Sequence, residues 1–120
     1  LNHKGEFISA EDGEMVLQLA ESTELSFAAV DHLGTRTQKD YLPMHIEKIL
    51  ALELVKPELI AAQKYKIAID AVNSVGGIAV PALLKALGVE EVVEINCEPT
   101  GHFAHNPEPL PEHLGQIGQM

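Results

Sequence analysis

Apolar residues recur along this chain in two rhythms, and the places where the rhythm changes mark its elements. Met15, Val16, Leu19 and Ala20 follow one another at helical spacing. Ser9 is a good N-cap ahead of them and Asp12 falls in the capping-box position. Glu11 and Asp12 also favour the positive end of the helix dipole, so the pattern predicts a helix from about Ala10 to Glu21. Gly13 weakens it by about 1 kcal/mol relative to alanine. Upstream, Glu6, Phe7 and Ile8 read as the end of a strand. Ser22 to Thr37 mixes turn-forming residues with a short apolar interlude (Leu25, Phe27, Ala28, Ala29, Val30). It reads as an irregular connection, with Leu33 to Thr37 as a hinge. A second helix begins near Gln38 to Asp40 and runs to about Leu52. Tyr41, Met44, Ile49 and Leu50 are among its apolar positions, and Pro43 fits its first turn. Pro57 opens a short helical turn through Ala62.

At Tyr65 the rhythm turns to that of a strand. Tyr65 to Asp70 predicts a strand buried on at least one face, and Asn73-Ser74-Val75-Gly76-Gly77 turns the chain, with Ser74 able to cap. Ile78, Leu83, Leu84 and Leu87 return to helical spacing. Pro81 belongs in a first turn, so the helix is expected to start after Gly77, and Gly88 is its stop. Glu91 to Asn96 is the second strand. Strand–helix–strand with short links predicts a right-handed parallel crossover, and hence an α/β fold with a small mixed sheet flanked by helices. From Cys97 to Pro111 four prolines and a glycine forbid regular structure and leave a long loop. Pro111 to Leu114 reads as the start of a last helix, weakened by Gly115 and Gly118. The expected domains are 1–37, the tail of a preceding domain with its connection, and 38–120, an α/β domain truncated at its C-terminal end.

Composition narrows the classes of function. A chain of 120 residues holds one domain, or one domain and a piece of another. A formal charge of −10 with eight Lys and Arg residues excludes nucleic acid, whose phosphates need clustered cations. The same charge argues against this chain gripping an anionic sugar phosphate unaided. No apolar run approaches the roughly 20 residues that span a bilayer, so no membrane partner is expected. Cys97 is the only cysteine, which excludes an internal disulfide and fits a reducing compartment, with the cytoplasm as the expected location.

Three constellations could carry chemistry. The turn DAVNSVGG between strand and helix could cradle phosphate on its N–H groups. However, it lacks both GxGxxG and the lysine of a P-loop, which favours a tight turn with glycines for close packing or positive φ. Cys97, His102, His105 and His113 raise the question of zinc, but their spacing fits no standard zinc site. Nothing near Cys97 marks it as an activated nucleophile. Asp70 ends a parallel strand, where ligand sites of α/β folds form, while Glu90, Glu91, Glu94, Glu98, Glu108 and Glu112 read as a solvated face. No DxDxD-type cluster offers Mg²⁺ closely spaced oxygens.

The stretch Lys66-Ile67-Ala68-Ile69-Asp70-Ala71-Val72-Asn73-Ser74-Val75-Gly76-Gly77, then Pro81 to Gly88 (PALLKALG), Ile95 to Pro99 (INCEP) and Phe103-Ala104-His105-Asn106-Pro107-Glu108-Pro109, resembles the second domain of the α-D-phosphohexomutases. The resemblance runs from about Asp40 to Leu114 and more weakly over Leu1 to Glu21. It implies a four-domain enzyme that moves a phosphoryl group between the 1- and 6-positions of a hexose phosphate, using a phosphoserine and Mg²⁺ on a DGD-type loop. Such transfer depends on positioning and electrostatic stabilisation. Ser9, Ser22, Ser26 and Ser74 do not lie in a T-A-S-H-N-P context, and no DGD loop occurs. The resemblance therefore implies no catalytic, cofactor-binding or metal residue in this chain. It makes His105 and Asn106 candidates for the rim of the active-site cleft, and gives Mg²⁺ and the hexose phosphate as ligands of the full-length parent. The excerpt is expected to be inactive, and to self-associate through surface that neighbouring domains would cover. A stand-alone α/β binding module is the alternative. A dinucleotide-binding domain is disfavoured by the missing glycine fingerprint.

Overall fold

The computed structural model describes residues 1–22 and 26–120, which divide into two units, Leu1–Gln38 and Lys39–Met120. Leu25, in the expected connection, lies outside the described residues.

The first unit is built on helix α1, Ala10–Glu21. Its capping box is formed as expected: Asp12 N–H donates to Ser9 Oγ at 3.0 Å, and Ser9 N–H donates to the Asp12 carboxylate at 3.3 Å. The stripe of Met15, Val16 and Leu19 is exposed. No strand forms at Glu6–Ile8. Asn2 Oδ1 instead accepts the N–H groups of Lys4 at 2.9 Å and Glu6 at 3.1 Å, folding the segment into a turn. A 3₁₀ turn, Val30–His32, interrupts the described part of the connection.

The second unit contains helices α2 (Leu42–Leu50), α3 (Pro57–Ala62) and α4 (Gly76–Ala86), and strands β1 (Lys66–Asp70) and β2 (Glu91–Ile95). Helix α2 starts later than expected because Asp40 Oδ1 accepts the Leu42 N–H at 2.9 Å, holding the preceding residues in a local turn. Pro43 and Pro57 lie in the first turns of their helices, where the missing N–H costs nothing. The strands pair in parallel, Lys66 opposite Glu91 through Asp70 opposite Ile95, with α4 as the crossover. Among the described residues the sheet has these two strands. The fold is α/β.

Helix α4 departs from expectation at its start and meets it at its end. It begins at Gly76 and not after Gly77; Val75 is its N-cap, and the Ser74 side chain makes no cap bond. Backbone bonds open it, from Gly77 N–H to the Ser74 carbonyl and from Ala79 N–H to the Val75 carbonyl, both at 3.0 Å. Pro81 consequently lies inside the helix. At its end Val89 N–H reaches the Leu84 carbonyl and Gly88 N–H the Lys85 carbonyl, both at 3.0 Å, with Gly88 at φ +84°. That is the Schellman stop predicted for a glycine at this position. The expected last helix is replaced by two 3₁₀ turns, Pro111–His113 and Ile117–Gln119. Gly115 and Gly118 lie in and between them, where their conformational freedom opposes a continuous helix.

Burial is sparse. Ala71 and Val89 are the buried apolar residues among those described. Apolar surface is open on α2, α4 and β2, at Met44, Ile78, Val80 and Val93.

Candidate functional site

The carboxyl ends of β1 and β2 lie level, because Asp70 is in register with Ile95. Just beyond them both segments enter the left-handed region, Val72 at φ +46°, Asn73 at +58° and Asn96 at +49°. Asparagine tolerates this conformation. For a β-branched valine it costs about 1–3 kcal/mol and persists only where the surroundings impose it.

Asp70 imposes it. Its carboxylate, 8% exposed, accepts the Val72 N–H at 3.0 Å. Asn96 Nδ2 lies 3.1 Å from each carboxylate oxygen and 3.3 Å from Gln116 Oε1. His105 Nε2 donates to Asp70 Oδ2 at 2.9 Å. Around this centre Asn73 N–H bonds the Asn96 carbonyl at 2.6 Å and Gly101 N–H bonds the Asn73 carbonyl at 2.9 Å. Asn73 Nδ2 donates to the His102 carbonyl at 3.2 Å. One aspartate thus ties together the ends of two strands, the long loop and the C-terminal turn.

The electrostatics follow from these contacts. Burial works to raise the Asp70 pKa, but the bonds from His105, Val72 and Asn96 outweigh it and hold the carboxyl below its ordinary value. The Asp70 carboxylate in turn raises His105, helped by the Asn106 carbonyl at 2.8 Å from Nδ1. Cys97 goes the other way for a nucleophile. Burial, then the charge of Glu94, raise its thiol above the ordinary value, and its Sγ donates to the Ile95 carbonyl at 3.2 Å.

The glycine turn packs rather than cradles. An added Cβ at Gly77 would collide with the Cys97 backbone, 2.7 Å from its Cα. The left-handed conformations fall on Val72 and Asn73 instead. Of the four residues considered for zinc, His105 bonds Asp70 and His113 Nδ1 lies against the Glu108 carbonyl at 2.9 Å. His102 contributes its backbone to Asn73. Among the described residues no group of three or more His, Cys, Asp or Glu side chains is arranged to hold a metal.

Comparison with known proteins settles the kinship. The phosphoglucomutase/phosphomannomutase α/β/α domain II profile matches residues 43–120. The chain belongs to the phosphoglucomutase/phosphomannomutase family. It is 32% identical over 115 residues to a phosphoglucomutase/phosphomannomutase of Thermococcus kodakarensis, covering 95% of this chain and 25% of that protein. It is 37% identical over 109 residues to a phosphoglucomutase of Neisseria gonorrhoeae, covering 88% of this chain and 22% of that protein. A probable phosphoglucosamine mutase of Methanosarcina barkeri is 41% identical over 61 residues, half of this chain and 14% of that protein. The chain thus spans about a quarter or less of the curated relatives it matches.

Within this domain II chain the rim candidates occupy different positions. The His105 ring is turned inward onto Asp70, whereas Asn106 is exposed, with Oδ1 accepting the Glu108 N–H at 3.0 Å. The residues at hand do not fit the Mg²⁺ that the family implies: the best-placed carboxylate, Asp70, already accepts N–H bonds on both oxygens. Sequence reasoning noticed Asp70 but missed Asn96 and Gln116. An asparagine immediately after a strand, able to turn left-handed, was the available signal for Asn96. A groove of about 460 Å³ between α2 and α4 is lined by Leu42, Pro43, Ile46, Leu50 and Ala82, none of them in the Asp70 cluster. No helix of the described residues is long and apolar enough to cross a membrane.

Proposed function

We propose that this chain serves as the structural middle portion of a phosphohexomutase, an isomerase that moves a phosphoryl group between the 1- and 6-positions of a hexose phosphate in the cytoplasm. The observation that carries the reading is the domain II match over residues 43–120 in a chain that spans a quarter of its Thermococcus relative. In this reading the phosphoserine and the Mg²⁺ ligands belong to parts of the parent outside the chain. The formal charge of −10 supports that division, since a dianionic sugar phosphate needs cationic partners. The Asp70 cluster fixes the loop that carries His105 and Asn106, which supports reading that loop as part of the cleft rim. Asn106 is exposed, and its Oδ1 accepts the Glu108 N–H.

Turnover tests the proposal. The chain alone, supplied with glucose 1-phosphate or mannose 1-phosphate, a hexose bisphosphate activator and Mg²⁺, is expected to yield no 6-phosphate product. Robust turnover with contaminating mutase excluded would overturn the division of labour.

A further inference from the structure

His105 meets only acceptors. Its Nε2 lies 2.9 Å from a carboxylate oxygen of Asp70 and its Nδ1 lies 2.8 Å from the carbonyl oxygen of Asn106. A neutral imidazole carries one N–H and one lone pair, so it can satisfy one of these oxygens and must turn a lone pair on the other. Only the imidazolium donates to both. We infer that His105 is held as an imidazolium that bridges Asp70, at the end of β1, to the Asn106 carbonyl, making the loop tip at Asn106–Glu108 a latch that opens when the ring loses a proton.

The surroundings fit that role. Asp70 is the charged group bonded to the ring and the first cause of its raised value; Glu94, on β2, raises Cys97. The bond to Asp70 is charge-assisted and the stronger of the two, so on deprotonation the ring keeps Nε2–H and bares Nδ1. Its lone pair then faces the Asn106 carbonyl, and the Asn106–Pro107 peptide must turn away. That motion has a defined path. Asn106 Oδ1 accepts the Glu108 N–H at 3.0 Å, and the Glu108 carbonyl lies 2.9 Å from His113 Nδ1 and accepts the Leu110 N–H at 2.8 Å. Asp70 keeps its bonds to Val72, Asn96 and the Nε2–H of His105, so the strand ends stay joined and the loop stays anchored at His105 while its tip moves. His105 is therefore a positioning residue, with both ring nitrogens committed. The latch belongs to this loop whatever reaction the assembled protein performs.

The test is a pH titration of the full chain followed by long-range ¹H–¹⁵N correlation of the histidine rings, with backbone amides recorded in parallel. Both His105 nitrogens are expected to keep the signature of protonated donors above pH 6.5, the value of an unperturbed histidine. The Glu108 amide should shift along the same curve. Asp70→Asn should move the His105 midpoint back toward the unperturbed value. His105→Gln, which keeps a single side-chain donor group and does not titrate, should abolish the pH response of Glu108. If Asp70→Asn fails to fold, the wild-type curve and His105→Gln decide the matter. A His105 midpoint at or below the unperturbed value overturns the inference, as does a raised midpoint with a Glu108 amide that stays still.

Discussion

Gly77 is the residue where the turn between β1 and α4 tolerates least. A Cβ added there would lie 2.7 Å from the Cys97 Cα, so Gly77→Ala requires the backbone after β2 to move, at a cost of about 1–3 kcal/mol. Gly88→Ala combines a φ of +84° with an Ala61 Cβ 2.7 Å away and should be comparably costly. Gly115→Ala, which meets open space, is the control expected to stay within about 0.5 kcal/mol of wild type. Urea denaturation of the three variants checks this ranking. The Asp70–His105 pair sets a pH window by linkage. Folding raises His105 from 6.5, so its contribution is complete below that value and is lost as pH rises through the folded value. Folding lowers Asp70 from 3.8, so its contribution is complete above that value and is lost as pH falls through the folded value. The cluster should therefore stabilise most between about pH 4 and 6.5. The unfolding free energy from urea denaturation across pH should flatten in this window, and Asp70→Ala should lower it there by about 1.5–3 kcal/mol.

At the scale of elements, Pro81 conflicts with its helix. It lies six residues into α4, where a proline lacks the N–H that would reach the Gly77 carbonyl. Pro81→Ala should raise stability by about 1–2 kcal/mol, the helix-interior penalty less what proline contributes by restricting the unfolded chain. A higher thermal midpoint would show it, and a lower one would mean that the ring packs where Ala cannot. The same helix shows what local sequence can encode. The Ser9–Asp12 box, the helix-opening Pro43 and Pro57 and the Gly88 stop were legible because each acts within a few residues of itself. The strands were legible from their runs of apolar residues, to within one residue at each end. The start of α4 departs from what the position of Pro81 predicts, because backbone turns from Ser74 and Val75 prevail. The centre of the site was not legible. Asp70 and His105 are 35 residues apart and meet only because β1 and β2 end level, and no periodicity announces Val72 in a left-handed conformation.

At the scale of the molecule, the apolar surface exposed within each unit is the dominant physical fact. Leu54, Leu59 and Tyr65 are more than half exposed in the second unit, as are Met15, Val16 and Leu19 in the first. Large apolar exposure of this kind marks surfaces that other protein covers. The chain by itself should therefore self-associate: light scattering is expected to show a mass that rises with concentration, and a constant mass near 13.0 kDa would contradict this. The same exposure is what a domain embedded in a larger mutase would show. The most direct measurement is mutase turnover by a polypeptide extended with the sequence that flanks this chain in its own reading frame. The extended protein is expected to carry a serine loop and a DGD loop and to interconvert hexose 1- and 6-phosphates, while the 120-residue chain does not. An extended protein without those loops and without turnover would contradict the mutase reading.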